Sequence, residues 1–200
     1  MRKIVASFFI SLDGVMQAPG GPQEDTSGGF QFGGWTVPHS DETTGGTIGT
    51  LFDRPYALLL GRKTYDIFAG YWPHHGGNAF ADAFNAAPKY VATHRHDDLD
   101  WNNSKSLGDD PIAALRDLKA QEGPVLIVQG SSDFMQTLLA TDLLDEISLL
   151  IFPVVLGDGK RLFRAGTLPT GLKLTRSQTS STGVVMVTYE RGGEVETGSF

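Results

Sequence analysis

The amino-acid sequence predicts an α/β protein built on a mixed, mostly parallel sheet that finishes in an antiparallel hairpin. Three observations carry this. The apolar run Ile147 to Leu156 is continuous rather than alternating and is bounded by Asp145-Glu146 and Gly157-Asp158-Gly159, the pattern of a strand buried on both faces. Two shorter runs, Tyr56 to Leu60 and Val125 to Val128, each stop at a glycine-containing turn and pass into helical spacing, as the units of a helix-covered sheet do. After Phe163 the period changes to two, in Leu172 to Gln178 and again in Val185 to Tyr189, with Thr179 to Gly183 as the turn between them.

The elements follow in order. Ile4 to Ile10, rich in β-branched and aromatic residues, is the first strand, and Ser11-Leu12-Asp13-Gly14 is the turn that ends it. Gln17 to Gly34 is Gly, Pro, Gln and Ser with almost no aliphatics, which predicts a mobile loop of the kind that serves as a lid. Ser40 to Phe52 reads as a helix capped by Ser40, with Asp41 and Glu42 in the first turn where they suit the helix dipole, weakened by Gly45, Gly46 and Gly49. Tyr56 to Leu60 is a strand, Gly61 breaks it, and Arg62 to Phe68 opens a helix. Lys89 to Thr93 is a short strand followed by a polar loop from His94 to Asn103. Pro111 to Gln121 has helical spacing through Ile112, Leu115 and Leu118, with Asp109 or Asp110 as cap and Gly123-Pro124 as the stop. Val125 to Val128 is a strand that ends in Gln129-Gly130-Ser131-Ser132, and a helix-like run extends from Ser131 to Leu144. Residues 1–191 read as one domain, and Gly192 to Phe200 as a polar, frayed tail.

Composition narrows the chemistry. A chain of 200 residues can bury a core without staples, and the absence of cysteine excludes disulfides, thiolate zinc sites and cysteine nucleophiles. Redox chemistry therefore needs a borrowed cofactor. The net charge of −7 argues against a nucleic-acid surface. Asp13 ends the N-terminal apolar run, no cleavage site follows, and no run has the length of a membrane span, so the expectation is a cytoplasmic protein with no membrane partner.

The two strand-turn-helix units also carry the candidate site. A helix that starts at a small-residue turn leaves backbone N–H groups pointing outward with the positive end of the dipole behind them, and that is where an anion sits. At the first turn Arg62 and Lys63 oppose the dipole, which favours an anionic ligand over a solvated pair, and Thr64 adds a hydroxyl. At the second, Gly130 permits close backbone approach and Ser131 and Ser132 offer a cap. Two such turns suggest a dinucleotide-type ligand.

Taken together, Ser11-Leu12-Asp13-Gly14, Leu60-Gly61-Arg62-Lys63-Thr64-Tyr65, the turn Val128 to Ser132, and Leu143-Leu144-Asp145-Glu146 to Pro153-Val154-Val155-Leu156-Gly157 resemble the dihydrofolate reductase-like superfamily. Within it the chain resembles the reductase domain of the bacterial riboflavin-biosynthesis deaminase-reductase in its stand-alone form, over roughly Lys3 to Arg191. The resemblance implies a dihydrofolate reductase-like three-layer αβα sandwich, NADPH across the carboxyl ends of the strands, hydride transfer to a small heterocyclic or ribosylamino-pyrimidine substrate, and a homodimer. It assigns cofactor phosphate contacts to Gly61, Arg62, Lys63 and Thr64 and to Gly130, Ser131 and Ser132, and adenosine 2′-phosphate contacts to Thr93 and Arg95. It places a carboxylate that holds and protonates the substrate near Asp41 or Glu42, and a cofactor-covering loop after Asp13. Relatives often have a Gly-Gly pair in the second turn, sometimes with a cis peptide; Gln129-Gly130-Ser131-Ser132 lacks the pair and so lacks the usual ground for expecting the cis bond.

Other features have plainer readings. Asp13-Gly14 is first of all a turn, and with the resemblance Asp13 becomes a further catalytic candidate beside Asp41 and Glu42. His74-His75 and the pair His94 and His96 lie in loops without a nearby carboxylate at ligand spacing, so no metal site is expected. Tyr71-Trp72-Pro73 reads as a packing anchor, whereas Trp35 in a Gly-rich loop has little core to join and is free to cover a ligand. Gly157 to Arg161 lacks the triphosphate-loop pattern and reads as a tight turn whose cations face solvent, substrate phosphate or a neighbouring subunit. The rival functions are a dihydrofolate or pterin reductase and a non-catalytic NADPH-binding module; without cysteine a zinc deaminase half is excluded.

Overall fold

The computed structural model describes residues 1–95 and 97–199. Its strands are β1 (Ile4–Ser11), β2 (Tyr56–Gly61), β3 (Lys89–Ala92), β4 (Ser104–Ser106), β5 (Val125–Gly130), β6 (Glu146–Phe152), β7 (Gly171–Thr179) and β8 (Val185–Gly193), and its α-helices are α1 (Glu42–Phe52), α2 (Arg62–Tyr71), α3 (Ala79–Ala86), α4 (Pro111–Ala120) and α5 (Ser132–Leu139). The strands form one sheet in the order β4-β3-β2-β5-β1-β6-β8-β7, parallel from β4 to β6 and antiparallel where β8 meets β6 and β7.

The alternation of side chains along each central strand explains why those strands are apolar throughout. On β2, Ala57 and Leu59 join β1, β5, α4 and α5 in one core, while Leu58 and Leu60 join Tyr65 of α2, Phe84 of α3 and Trp101 in another. On β6, Ile147 and Leu149 face the first core; Leu150 and Phe152 face a third cluster with Val15, Ala18, Phe30, Trp35 and Met186. Helices cover one face of the sheet, and helices together with the segment after β1 cover the other, which gives the three-layer arrangement expected from the sequence.

Several expectations are corrected. β6 stops at Phe152, because Pro153 has no N–H for the ladder; beyond it Val154 accepts from the Leu12 amide at 2.8 Å, while Val155 is exposed. The cap of α1 is Asp41 rather than Ser40: its carboxylate accepts from the Thr44 amide, and the Thr44 hydroxyl accepts in turn from the Asp41 amide. α5 ends at Leu139, where the Thr141 hydroxyl donates to the Leu138 carbonyl and the chain turns into β6. β8 continues to Gly193, so Gly192 and Gly193 belong to the hairpin rather than the tail. The short α3 and β4 carry too few residues for their periodicity to announce them, although Asn78 caps α3 and Phe80 and Phe84 mark its apolar side.

The largest correction concerns the segment Gln17 to Gly34 and its neighbour Trp35. Trp35 is buried, stands edge-on to Phe152 at 5.3 Å, and donates its indole N–H to the Gln17 carbonyl at 2.8 Å. The Gln17 side chain donates to the carbonyls of Asp25 and Ser27 and accepts from the Lys160 amide. Lifting the segment away would expose Phe30 as well as Trp35, at about 1.5–3 kcal/mol for each large apolar side chain, besides breaking these bonds. The segment is therefore a packed layer, and the aromatic that the Gly-rich composition left without a core finds one against Phe152 of β6.

Lys89 shows how the edge of the sheet is closed. Its ammonium is buried at the carboxyl end of α3, donates to the carbonyls of Asn85, Ala87 and Asn102 at 2.6, 2.9 and 3.0 Å, and lies 4.1 Å from the Trp101 ring centre. Burial lowers its pKa to about 8, which leaves the group charged at neutral pH. Lys89→Met keeps the stem and removes the donor, leaving the carbonyls unpaired. The expected cost is about 2 kcal/mol, read as a lower urea midpoint; a midpoint equal to that of the unaltered protein would contradict a structural role for the ammonium.

Candidate active site

Parallel pairing brings the carboxyl ends of β3, β2, β5, β1 and β6 to one edge of the sheet, and there Leu60 lies opposite Gly130 and Gly61 opposite Ala92. The turn into α2 and the turn into α5 are therefore side by side. They interlock. A Cβ on Gly61 would overlap the Ser131 hydroxyl and approach the Ser131 nitrogen to 2.8 Å, and a Cβ on Gly130, which has φ +138°, would overlap the Thr64 hydroxyl. The Gly130–Ser131 peptide is cis, although the turn lacks a Gly-Gly pair.

The two helix ends differ in how their free N–H groups are satisfied. α2 opens at Gly61 with no side-chain cap and no acidic residue in its first turn, and Lys63 there is half exposed. α5 opens at Ser131, whose hydroxyl accepts from the Phe134 amide at 3.4 Å. An uncapped helix end beside cations fits a phosphate-bearing group, with Gly61, Thr64, Gly130 and Ser131 as the cradle. Ser132 is already engaged: its buried hydroxyl accepts from Arg164 at 2.6 Å, and Arg164 also pairs with Asp133 at 2.7 Å. Sequence reasoning missed Arg164, whose only signal is its place in the basic run beginning at Lys160.

Arg62 and Arg95 meet at the neighbouring ends of β2 and β3. The Thr93 hydroxyl accepts from the Arg95 amide at 3.0 Å, and Arg62 donates to the Arg95 carbonyl at 3.2 Å. Both guanidinium groups are paired with Asp66 and Asp98, two carboxylates that the sequence pattern did not single out.

The candidate acids lie elsewhere. Asp13, at the end of β1, accepts from the Ser11 hydroxyl at 2.6 Å and from the Leu156 and Gly157 amides at 3.1 and 2.9 Å, and pairs with Arg161 at 3.2 Å. Burial acts to raise its pKa, but these hydrogen bonds to the anion outweigh it and bring the carboxyl down to about 2. It is a latch between the first turn and the loop after β6, and it holds no proton to give near neutrality. Asp41 caps α1 and accepts from the Ser181 amide and hydroxyl in the β7–β8 turn; donation by the Thr44 amide and then by Ser181 lowers its carboxyl as well. Glu42 is exposed in the first turn of α1. None of the three stands between the interlocked turns.

The cations of the 157–161 turn pair with the protein's own carboxylates while staying partly exposed. Arg161 closes on Asp13, and Lys160 pairs with the buried Asp25 at 2.6 Å, with Lys63 3.6 Å away on the other side. Asp25 was illegible in sequence, being one carboxylate in a Gly/Pro/Gln/Ser segment, yet it ties that segment to the first turn of α2. Beside it, Gln17, Ser27 to Phe32 and Asp158 to Lys160 line a cavity of about 700 Å³. His75 stacks on Tyr71 at 3.8 Å, and His96 lies outside the described residues.

Residues 2–186 match the family described as the RibD C-terminal domain. The fold is similar to a putative riboflavin biosynthesis protein from Shewanella sp. PV-4, at TM-score 0.71 and 18% identity over 94% of this chain and 98% of that one. It is similar to dihydrofolate reductase from Enterococcus faecalis complexed with NADP(H), at TM-score 0.60 and 11% identity over 95% and 96% of the two chains. It is also similar to the diaminohydroxyphosphoribosylaminopyrimidine deaminase/5-amino-6-(5-phosphoribosylamino)uracil reductase of Thermotoga maritima, at TM-score 0.60 and 16% identity over 95% of this chain and 57% of that one.

The Asp13 latch gives a pH test. Its folded pKa lies below the ordinary 3.8, so its contribution to stability is fully present above about pH 4 and is lost as pH falls through about 2. Asp13→Asn should therefore be less stable than the unaltered protein at pH 7 and should lose less stability between pH 4 and pH 2 in urea titrations. Parallel acid limbs for the two proteins would contradict the assignment.

Proposed function

The chain belongs to the RibD C-terminal domain family, and from that membership we propose that it is an NADPH-dependent reductase acting on a ribosylamino-pyrimidine of the 5-amino-6-(5-phosphoribosylamino)uracil kind. The observation that carries the proposal is the interlock of Gly61 with Ser131 and of Gly130 with Thr64, which holds two helix N-termini side by side at the carboxyl edge of the sheet. A dinucleotide with two linked phosphates matches two adjacent sets of N–H donors.

NADPH, when bound, supplies the hydride. The chain's own part is to bind, orient and exclude water. The α2 and α5 turns hold the phosphates, Arg62 and Arg95 offer planar forks to the adenosine 2′-phosphate, and the packed segment after β1 closes the side of the site at β6. Asp13 and Asp41 keep the walls in register and leave protonation to a group other than themselves. A homodimer is part of the same reading, supported by exposed Leu172 and Leu174 on the edge strand β7.

A dihydrofolate or pterin reductase would use a carboxylate near α1 to hold the pterin. Asp41 is engaged by Thr44 and Ser181, and Glu42 is exposed, so this rival has the weaker support.

Two measurements test the proposal. NADPH oxidation followed by absorbance should accelerate with the ribosylamino-pyrimidine and not with dihydrofolate; the opposite preference sinks the substrate assignment. The double variant Arg62→Ala/Arg95→Ala should bind NADPH at least about tenfold more weakly, the equivalent of about 1.4 kcal/mol, with NADH affinity changed much less. Equal losses for both cofactors would show that the arginines do not read the 2′-phosphate.

A further inference from the structure

The two arginines assigned to the adenosine end stand in a four-membered ring of alternating charge. Asp66, one turn along α2, takes Arg62 Nε at 2.7 Å and Arg95 Nη2 at 3.0 Å, one with each carboxylate oxygen. Asp98 reaches in from the loop after β3, and a single oxygen, Oδ2, accepts from Arg62 Nη2 at 2.8 Å and lies 3.5 Å from Arg95 Nη1. The two acids thus have different geometries. Asp66 spreads across the pair and fixes the direction of both forks. Asp98 puts one anionic oxygen between them, where an oxygen of a bound phosphate would sit to reach both.

We infer that Asp98 is a specificity-determining residue that competes with the adenosine 2′-phosphate for Arg62 and Arg95 and so limits the preference for NADPH over NADH. The inference rests on the reading of this edge as a dinucleotide site. With both carboxylates present the four side chains sum to zero charge, and a dianionic phosphate gains no net attraction until Asp98 moves aside. Asp98 is well suited to move: its side chain is 59% exposed, against 18% for that of Arg62. Asp66 stays with the helix and keeps the guanidinium groups aimed. Even in a water-like dielectric, one unit charge about 6 Å from a dianion corresponds to about a tenfold change in affinity, and salt weakens it.

The experiment titrates the full chain at low ionic strength with 2′,5′-ADP, 5′-AMP, NADPH and NADH, using calorimetry, for the unaltered protein and for D98N, D97N and D66N. D98N keeps shape and removes charge; D97N removes an equal charge from the adjacent exposed residue. The expected result is that D98N binds 2′,5′-ADP about tenfold more tightly and raises the NADPH-to-NADH affinity ratio by a similar factor, with the gain shrinking in added salt. D66N removes an equal charge but frees both forks from their common anchor, so its gain in the ratio should be smaller than that of D98N. An unchanged or reduced ratio in D98N, or an equal gain in D97N, overturns the assignment of Asp98. Failure of the unaltered protein to bind either NADPH or NADH overturns the dinucleotide reading beneath it, a distinct outcome.

Discussion

Parallel pairing of β2 with β5 fixes the site, because it places the ends of two strands opposite one another and leaves their following helices no freedom to separate. Leu60 against Gly130 sets the register, and the two glycines then do by absence what no side chain could do. With a Cβ at either, the Ser131 or Thr64 hydroxyl would have to give way and the two helix N-termini would part. Both turns lie at the carboxyl edge of a sheet whose faces are filled, so the free N–H groups point at the open edge rather than into protein.

The other half of the edge is built by exchange between remote loops. The turn after β1 and the loop after β6 are sequence neighbours of nothing in common, yet Asp13 takes both amides of Leu156 and Gly157 while Arg161 and Lys160 return to Asp13 and Asp25. These ion pairs are partly shielded by the segment that they hold, which carries Phe30 and Trp35 into the cluster against Phe152. Burial and pairing reinforce one another here: the apolar side chains anchor the segment, and its anchored position removes the carboxylates from bulk water. A carboxylate held this way is a poor proton donor, which is why its place beside the site gives it a structural task.

Where β2 and β3 end at Arg62 and Arg95 the balance is reversed. Arg62, Asp66, Arg95 and Asp98 are close to the surface, where single pairs contribute little to stability. In the proposed reading their effect is on recognition, since exposed carboxylates that add little to folding would alter the field a bound phosphate meets. A sheet edge can therefore be rigid at the interlocked turns and adjustable a strand away, at the end of β3.

The sequence by itself determined the α/β class, the buried strands, the closing hairpin and the two glycine turns, because each is a local pattern: continuous apolar runs, period-two alternation, and glycine before a helix start. It also marked Arg62 and Lys63, since cations at a helix N-terminus are locally out of place. Only the tertiary structure decided which carboxylates are free, where Trp35 goes, and what the arginines touch. Asp13, Asp41 and Asp25 acquire their roles from partners 140, 144 or so residues away in several cases, as with Ser181 and Gly157. A carboxylate's chemistry is set by its nearest donors and its exposure, and Asp66 and Asp98 each add to a local partner, Arg62 and Arg95 respectively, a second one that only the fold brings near.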